Sequence, residues 1–178
     1  MVVEHYRPKG GYTNSLLKGA KLHKPGYYWL AYNWDNLLFS CSKCNISYKR
    51  NYFAISQEAN RSISLRDVSH ETPLVINPYI EDPGVHMRFK SFIAVPLMRD
   101  GHEDEIGRAT IAVFQLNDRK DLVERRRKKW ILYSDELLKR QIFQRMGATE
   151  GVALCDAALA LYSDSSEEFC GMFNNQME

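Results

Sequence analysis

The sequence lacks any apolar run long enough to cross a bilayer. Its longest apolar candidate, residues 92–98, has the length of a strand and is interrupted by Pro96, whereas a membrane-spanning helix needs about 20 apolar residues. The first ten residues also lack the basic and then apolar layout of a secretory signal peptide. These absences argue against membrane and secreted proteins, and we expect a cytoplasmic protein with no membrane partner.

Cysteine is scarce, and its use does not indicate a disulfide framework. The chain has four cysteines, Cys41, Cys44, Cys155 and Cys170. An even number of cysteines suits disulfides in a secreted protein, but without a signal peptide we expect thiols or metal ligands. Internal repeats and low-complexity segments are also missing. With 178 residues, 44% of them hydrophobic, the chain is expected to fold as one domain overall.

The small net charge of +2 conceals an uneven distribution along the chain. Residues 1–60 contain eight Lys or Arg and three Asp or Glu, whereas residues 131–178 contain three and eight. A basic first part suits a polyanionic partner such as nucleic acid. Ordinary solvating charge is the alternative, and charge alone favours it. The basic run at residues 125–129 has the same two interpretations, a nucleic-acid contact or a solvated helix face.

The first third of the chain is patterned like a compact ββα unit. Residues 1–9 have weak β character, and the aromatic segment YYWLAY at residues 27–32 predicts a second strand. A short polar helix is predicted at residues 40–51. We therefore expect an α+β fold with a core at residues 1–55, on which residues 56–178 pack.

The rest of the chain divides into an irregular part and a helical part. Residues 56–90 have weak periodicity and three prolines, which predicts irregular chain wrapped on the core. Residues 91–98 and 106–116 are each predicted to form a strand. Apolar residues at helical spacing then predict one helix over residues 118–146 and a second over residues 149–162.

Three short segments carry residue types suited to phosphodiester hydrolysis: EHYRPKG, NWDNLL and CSKCNISYK. Hydrolysis requires a base that deprotonates water, and histidine has a suitable pKa. The phosphate gains charge during the reaction and needs a cation. Mg²⁺ prefers oxygen ligands and keeps several waters, so Glu4 and Asn45 suffice as its protein ligands. His5 is then the candidate base.

The strand pattern both supports and constrains this hypothesis. On an extended strand His5, Arg7 and Lys9 share one face, which directs a base and two cations toward a phosphate. Glu4 points to the opposite face, and it serves the same site only if the strand twists or ends there. Taken alone, Asn36 is an ordinary turn or cap residue, and one CxxC pair is a weaker metal signal than two pairs. The order and spacing of the segments carry the hypothesis.

That ordered set resembles the signature of the HNH, or ββα-metal, nucleases. The resemblance implies that Glu4 and Asn45 hold one divalent cation, Mg²⁺ or Mn²⁺, and that His5 activates water. It also implies that Asn36 orients the base and that Lys49 contacts backbone phosphate.

Longer segments resemble one HNH subfamily: EHYRPKG, GYYWLAYNWDNLLFSCSKCN, ETPLVINPYIEDPGVHMRF and TIAVFQLNDRKDLVERR. It is the nuclease subunit of the Septu anti-phage defence system, the PtuB type, which also occurs in some retron-associated operons. The resemblance covers residues 4–130. It implies an endonuclease acting on DNA or RNA, with an ABC-type ATPase (PtuA-like) as partner. A catalytically silent module that binds nucleic acid or the ATPase is the alternative, and homo-oligomer formation stays open.

The cysteines depart from this family's usual pattern. Relatives have an upstream CxxC that completes a four-cysteine zinc site, and the sequence begins three residues before Glu4 without such a pair. Cys41 and Cys44 are then half a site, which Cys155 and Cys170 complete only if the chain folds back. A short natural chain, a lost zinc site and a start further upstream are the alternatives. We expect less than one tightly bound zinc per chain unless two chains share it, because structural zinc takes four ligands.

Overall fold

The structure is a computed structural model that describes residues 1–62 and 67–174. It combines helices with three small two-stranded sheets, which confirms the predicted α+β class. The chain forms two compact units: unit 1 comprises Met1–Met87 with Pro96–Gln115, and unit 2 comprises Arg88–Val95 with Leu116–Glu178. Residues 1–55 lie wholly in unit 1, together with part of the segment that we expected to pack on them.

Unit 1 begins with an antiparallel pair of strands, β1 (Val2–His5) and β2 (Leu37–Ser40). Glu4 lies opposite Leu38 in this pair, and His5 lies opposite Leu37. The prediction of a strand at residues 27–32 is wrong, because Tyr28–Leu30 form a turn of 3-10 helix. The preceding Tyr27 buries its ring against Phe53, with centroids 5.4 Å apart, so these aromatic residues fill the core instead of pairing in a sheet.

A short helix, Lys43–Lys49, follows β2 within the range predicted from the sequence. It is wound more widely than an α-helix: the Arg50 N–H donates to the carbonyl of Asn45 at 2.8 Å, five residues back. Arg50 then adopts a φ of +51°, which ends the helix. The helix therefore stays short, and it begins within the CxxC segment, of which it includes Cys44.

The core of unit 1 is aromatic at its centre and surrounds a buried polar network. Its buried hydrophobic residues are Tyr6, Tyr27, Tyr52, Phe53, Ala54, Ile55, Val75 and Val113. The Glu71 carboxylate accepts from Tyr27 Oη at 2.8 Å and from Arg7 Nε at 3.0 Å. Arg61 donates to the same Tyr27 hydroxyl at 2.6 Å. Each buried polar group in this set therefore has a partner, which offsets the cost of its burial.

Residues 56–90 are largely irregular in their described part, as the sequence predicted, with 3-10 turns at Glu58–Asn60 and Pro83–Val85. Strands β3 (Met87–Lys90) and β4 (Ile93–Pro96) then pair with each other. The predicted strand at residues 91–98 is confirmed in β4. A second, very short pair consists of β5 (Met98–Arg99) and β6 (His102–Glu103).

The prediction of a strand at residues 106–116 is wrong, because most of this segment forms helix α1 (Glu105–Val113). Asp104 caps the helix by accepting a hydrogen bond from the Gly107 N–H at 2.8 Å. The helix buries Gly107, Ala109, Thr110 and Val113; residues 107, 110 and 113 are three apart, and residues 109 and 113 are four apart, so all four lie on one helix face. The β-branched character of the segment is therefore overridden by an N-cap and by small residues on the packed face.

Unit 2 contains the two predicted helices, which are confirmed as α2 (Lys120–Arg145) and α3 (Thr149–Tyr162). They pack on each other around Tyr133, whose ring centroid lies 4.6 Å from that of Phe173 and 5.4 Å from that of Tyr162. Among the described residues, no helix is both long enough and apolar enough to span a membrane.

The basic run on α2 is largely occupied by contacts within unit 2. Arg126 is buried, donates to the Leu116 carbonyl and lies over the Phe89 ring. Burial lowers the pKa of its guanidinium, and the charge of Arg119 lowers it further. The Lys129 ammonium pairs with Glu167 at 2.8 Å. Arg125 pairs with Glu168, and Arg127 pairs with Glu124 at 3.6 Å. Four of the five cations in the run are therefore committed to internal contacts, which favours the structural interpretation of the run.

Candidate active site

Glu4 occupies a buried position on β1 and is paired with a lysine. The Lys49 Nζ lies 2.6 Å from Glu4 Oε1 and 2.9 Å from the backbone oxygen of His5. Both side chains are at least 90% buried. Burial lowers the pKa of the Lys49 ammonium, and the Glu4 charge opposes that change. The pair therefore holds one oxygen of the carboxylate and leaves Oε2 as the candidate metal ligand.

The structure corrects the role that we expected for Lys49. A lysine that contacts backbone phosphate needs its ammonium at the surface, but this side chain is 1% exposed and its ammonium is bonded to Glu4 and to His5. Lys49 ends the helix that carries Asn45 and binds strand β1. It therefore acts as a positioning residue that fixes the helix against the strand.

His5 is the last residue of β1, and its ring is oriented by a backbone carbonyl. His5 Nε2 lies 3.0 Å from the oxygen of Ala31. A carbonyl oxygen only accepts hydrogen bonds, so Nε2 carries the proton in the neutral ring. Nδ1 is then the unprotonated nitrogen that can accept a proton.

Asn36 acts on His5 indirectly, through the backbone on both sides of it. Its Oδ1 accepts from the Arg7 N–H at 2.7 Å, and its Nδ2 donates to the carbonyls of Arg7 and Leu30, each at 3.1 Å. Leu30 directly precedes Ala31, the residue whose carbonyl bonds His5. Asn36 is therefore a positioning residue that ties the end of β1 to the turn that orients the candidate base.

Asn45 lies on the Lys43–Lys49 helix with its amide directed to β1. Its Nδ2 donates to the Val3 carbonyl at 3.2 Å. Because the amide nitrogen is engaged with the strand, the amide oxygen Oδ1 is the atom that can serve a cation. One hydrogen bond thus sets both the position of this side chain and which of its ends is available.

The candidate residues meet at a cavity of about 280 Å³, which we call the His5 cavity. It is lined by Val3, Glu4, His5, Pro8, Lys9, Gly10, Asn45, Arg50 and Asn51. Four residues predicted from the sequence, namely Glu4, His5, Lys9 and Asn45, are therefore brought to one cavity. Glu4 and His5 both line it although they are neighbours at the end of β1.

The structure also corrects the role expected for Arg7. Its guanidinium is bonded to Glu71 and lies 5.1 Å from the centroid of the Phe53 ring. The prediction placed Arg7 on one face with His5 by strand alternation, but β1 ends at His5, so the alternation does not continue. Arg7 belongs to the core network, and Lys9 is the cation of this segment that reaches the cavity.

The CxxC pair lies at the start of the short helix. Cys41 is exposed, and its Sγ accepts from the Cys44 N–H at 3.3 Å. Cys155 is buried, and it belongs with Cys170 to unit 2. Over residues 1–62 and 67–174, no three His, Cys, Asp or Glu side chains form a cluster suited to a metal ion.

Two contributors to the site were missed by the sequence analysis. The Ala31 carbonyl that orients His5 is a backbone group, so the residue type carries no signal for it. Arg50 is an exposed cation on the wall of the His5 cavity. Its position five residues after Asn45 was a usable signal, because an arginine near a candidate metal ligand suits phosphate binding.

One curated relative extends the sequence argument. Over 140 residues, or 79% of this chain, the sequence is 40% identical to Septu protein PtuB of Bacillus mycoides (strain KBAB4). The match covers 45% of that protein, so this chain spans less than half the length of its relative. No family model matches the chain, and no solved structure is similar to it. By sequence, the chain is therefore related to a Septu PtuB protein over most of its own length.

Proposed function

We propose that unit 1 is a metal-dependent HNH endonuclease that hydrolyses phosphodiester bonds in nucleic acid. The observation that carries this proposal is the meeting of Glu4, His5 and Asn45 at one cavity. These residues supply a carboxylate, an imidazole and an amide oxygen. That set provides a general base and two oxygen ligands for one divalent cation.

The donor set fits a hard divalent cation. Glu4 Oε2 and Asn45 Oδ1 are both oxygens, and Mg²⁺ or Mn²⁺ is commonly held by one or two protein oxygens plus waters and substrate phosphate. When bound, such an ion neutralises charge that develops on the phosphate. Lys49 also neutralises Glu4, so it competes with the cation for this carboxylate and fixes its orientation.

The protein residues then have separate tasks. Nδ1 of His5 accepts a proton from the attacking water, because Nε2 is held in its protonated form by Ala31. Asn36 holds the carbonyl of Leu30, the residue before Ala31, and the N–H of Arg7, just after β1. Lys9 and Arg50, both exposed on the wall of the cavity, supply positive charge for the phosphates on either side of the cleaved bond.

We also propose that the protein is the nuclease effector of a Septu-type anti-phage defence system. The name of its relative, Septu protein PtuB, supports this assignment. The resemblance of the sequence adds an ABC-type ATPase (PtuA-like) as partner. Co-expression with the protein encoded next to it tests this part: we expect that protein to be an ABC-type ATPase that co-purifies with the nuclease, and the isolated nuclease to be weakly active. Full activity alone, with no complex, would contradict it.

Metal dependence separates the roles of two asparagines. Asn45→Ala removes a metal ligand, so its cleavage rate should fall and partly recover as Mn²⁺ is raised. Asn36→Ala disturbs the orientation of His5, and added metal should not restore its rate. The matched control is Ile46→Ala, since Ile46 is an exposed neighbour on the same helix. If all three variants respond to Mn²⁺ as the parent does, Asn45 is not a ligand.

A further inference from the structure

A second cavity lies beside the His5 cavity, and the proposed hydrolysis does not require it. It has a volume of about 430 Å³, and we call it the loop cavity. One wall is the loop formed by residues 13–20, and the other wall is residues 48–52. Arg50 and Asn51 line both cavities. Its volume lies in the range of about 300–1,000 Å³ that is usual for small-ligand sites.

The loop that forms this cavity is anchored at its base. Tyr12 and His23 exchange two backbone hydrogen bonds, of 3.0 and 2.8 Å, and their rings stack with centroids 5.1 Å apart. Thr13 is bonded through its backbone to Asn51 and Phe53, each at 2.8 Å. The loop is therefore held to the chain segment that follows the Asn45 helix, so the cavity is built into the fold.

The loop is also ordered internally by short-range bonds. The Leu17 N–H donates to Ser15 Oγ at 3.2 Å, and the Ala20 N–H donates to the Leu17 carbonyl at 3.0 Å. Gly19 has a φ of +83°, a conformation that L side chains rarely adopt. This turn places Lys18 and Ala20 on the wall of the cavity.

The wall chemistry suits a nucleotide. Tyr48, which is half-buried, contributes aromatic surface, and Lys18 and Arg50 contribute positive charge. Aromatic rings stack on bases of any sequence, and lysine and arginine bind the phosphate backbone. Between residues 5 and 57 the chain has eight Lys or Arg and one acidic residue, Asp35, so repulsion of a polyanion is weak along this surface.

We propose that the loop cavity binds one unstacked nucleotide adjacent to the phosphate held in the His5 cavity. This inference rests on the proposed nuclease function and specifies its substrate. A base enters such a cavity only after it leaves the stack, and this costs least where the nucleotide is already unpaired. The preferred substrate is therefore a nucleic acid with a single-stranded or looped segment at the cleavage point, not a continuous duplex.

Oligonucleotide binding by the folded His5→Ala protein tests the charge of the cavity without cleavage. The probe is a labelled single strand of about 12 nucleotides, measured by fluorescence anisotropy over a salt series. Lys18→Glu should weaken binding about tenfold and lower the salt slope by about one. Lys21→Glu is the matched control, since Lys21 is exposed on the same loop but does not line the cavity. Equal effects of the two substitutions would overturn the proposal.

An abasic scan tests whether a base enters the cavity. In the His5→Ala protein, one abasic position should weaken binding between about fivefold and a hundredfold, because a stacked base is lost. Ala20→Phe fills the cavity, so it should weaken binding of the intact strand and abolish the abasic effect. Circular dichroism checks the fold of this variant. If Ala20→Phe unfolds, Lys18→Glu takes its place, and we expect this substitution to reduce the effect of the abasic position without abolishing it.

The two proposals fail in different ways. If no abasic position matters, or if a duplex binds as tightly as the single strand, the nucleotide subsite is wrong even when the parent cleaves. If the parent does not cleave with any divalent metal but the effects of Lys18→Glu and the abasic scan are seen, the nuclease function is wrong and the binding subsite stands.

Discussion

Two buried ion pairs fix the residues on either side of His5. Glu4 is bonded to Lys49 at 2.6 Å, and Arg7 is bonded to Glu71 at 3.0 Å. A buried pair adds little net stability, but removing one partner leaves an uncompensated buried charge. The position of the candidate base therefore depends on both pairs.

Lys49→Met tests the first pair. The substitution keeps an apolar stem of similar length and leaves the Glu4 carboxylate buried without its cation. We expect the free energy of unfolding to fall by about 3–5 kcal/mol, measured by urea denaturation. Lys9→Met is the control, since Lys9 is exposed and the change should stay within about 0.5 kcal/mol of the parent. Equal stability of the two variants would show that Glu4 does not need Lys49.

At the residue scale, the sequence could place side chains at the site but not their partners. The order of Glu4, His5 and Asn45 along the chain was enough to predict that they act together, because the signature includes their spacing. Two features depend on where β1 ends: the contact of His5 with a backbone carbonyl, and the packing of the Arg7 side chain in the core. The end of β1 is determined by packing between residues distant in sequence, which the local hydrophobic pattern of the sequence does not predict.

At the scale of elements, helix α1 depends on its first turn. Asp104 accepts from the Gly107 N–H, and its carboxylate also contacts His86 at 3.0 Å and Arg99 at 3.1 Å. Burial alone would raise the pKa of Asp104, but these hydrogen bonds and charges outweigh it and hold the pKa below its ordinary value. The charged form is therefore favoured by folding.

Asp104→Asn tests this electrostatic contribution. Asparagine is also a good N-cap, so the substitution keeps the capping bond and removes the charge. A lowered folded pKa gives stability that is present above the unfolded pKa, near 3.9, and is lost as pH falls through the folded pKa. We expect the variant to be less stable at pH 7, with the difference shrinking below about pH 4. A difference that does not vary with pH would refute the argument.

Gly107→Ala tests the close packing of α1. Alanine inside a helix is ordinarily more stable than glycine by about 0.5–1 kcal/mol. At this position the added Cβ would lie 2.1 Å from the His86 carbonyl oxygen. We therefore expect destabilisation of about 1–3 kcal/mol, measured by thermal unfolding. Gly10→Ala, where nothing lies within 4 Å, is the control, and a stabilised Gly107→Ala protein would contradict the packing.

The elements predicted wrongly share a physical cause. Residues 27–32 and 106–116 are short apolar segments, for which periodicity does not separate a buried helix from a strand. In α1 the decisive features were the Asp104 cap and the small residues on the packed face. Helix α3 was predicted correctly because its alanine and leucine content and its length are local properties of the sequence.

At the scale of the whole molecule, the two units are stabilised differently. Unit 1 is held by contacts between residues distant in sequence, such as Tyr27 with Glu71. Unit 2 is dominated by the packing of α2 on α3, which are neighbours along the chain. Sequence patterns therefore predicted the helices of unit 2 closely, together with β4, most of which belongs to that unit. Among the helices and strands of unit 1 they predicted β1 and the short helix after β2.

Tyr133→Ala tests the aromatic cluster of unit 2. Tyr133 is 1% exposed, and truncation of a large buried aromatic side chain typically costs about 3–5 kcal/mol. We expect a loss of this size in urea denaturation. Its neighbour Leu132 is 59% exposed, so Leu132→Ala should be much milder. Similar losses for the two variants would mean that this cluster does not stabilise unit 2.

The measurement that tests the central claim most directly is single-turnover cleavage by the parent and by His5→Ala with saturating Mn²⁺. A single-stranded oligonucleotide is the substrate, the ATPase partner is present in both reactions, and circular dichroism confirms that the variant is folded. Removal of a general base typically costs about a hundredfold to ten-thousandfold in rate, and added metal cannot replace a proton acceptor. We predict a loss in that range even though Mn²⁺ is saturating. A folded His5→Ala protein that cleaves as fast as the parent would contradict the account.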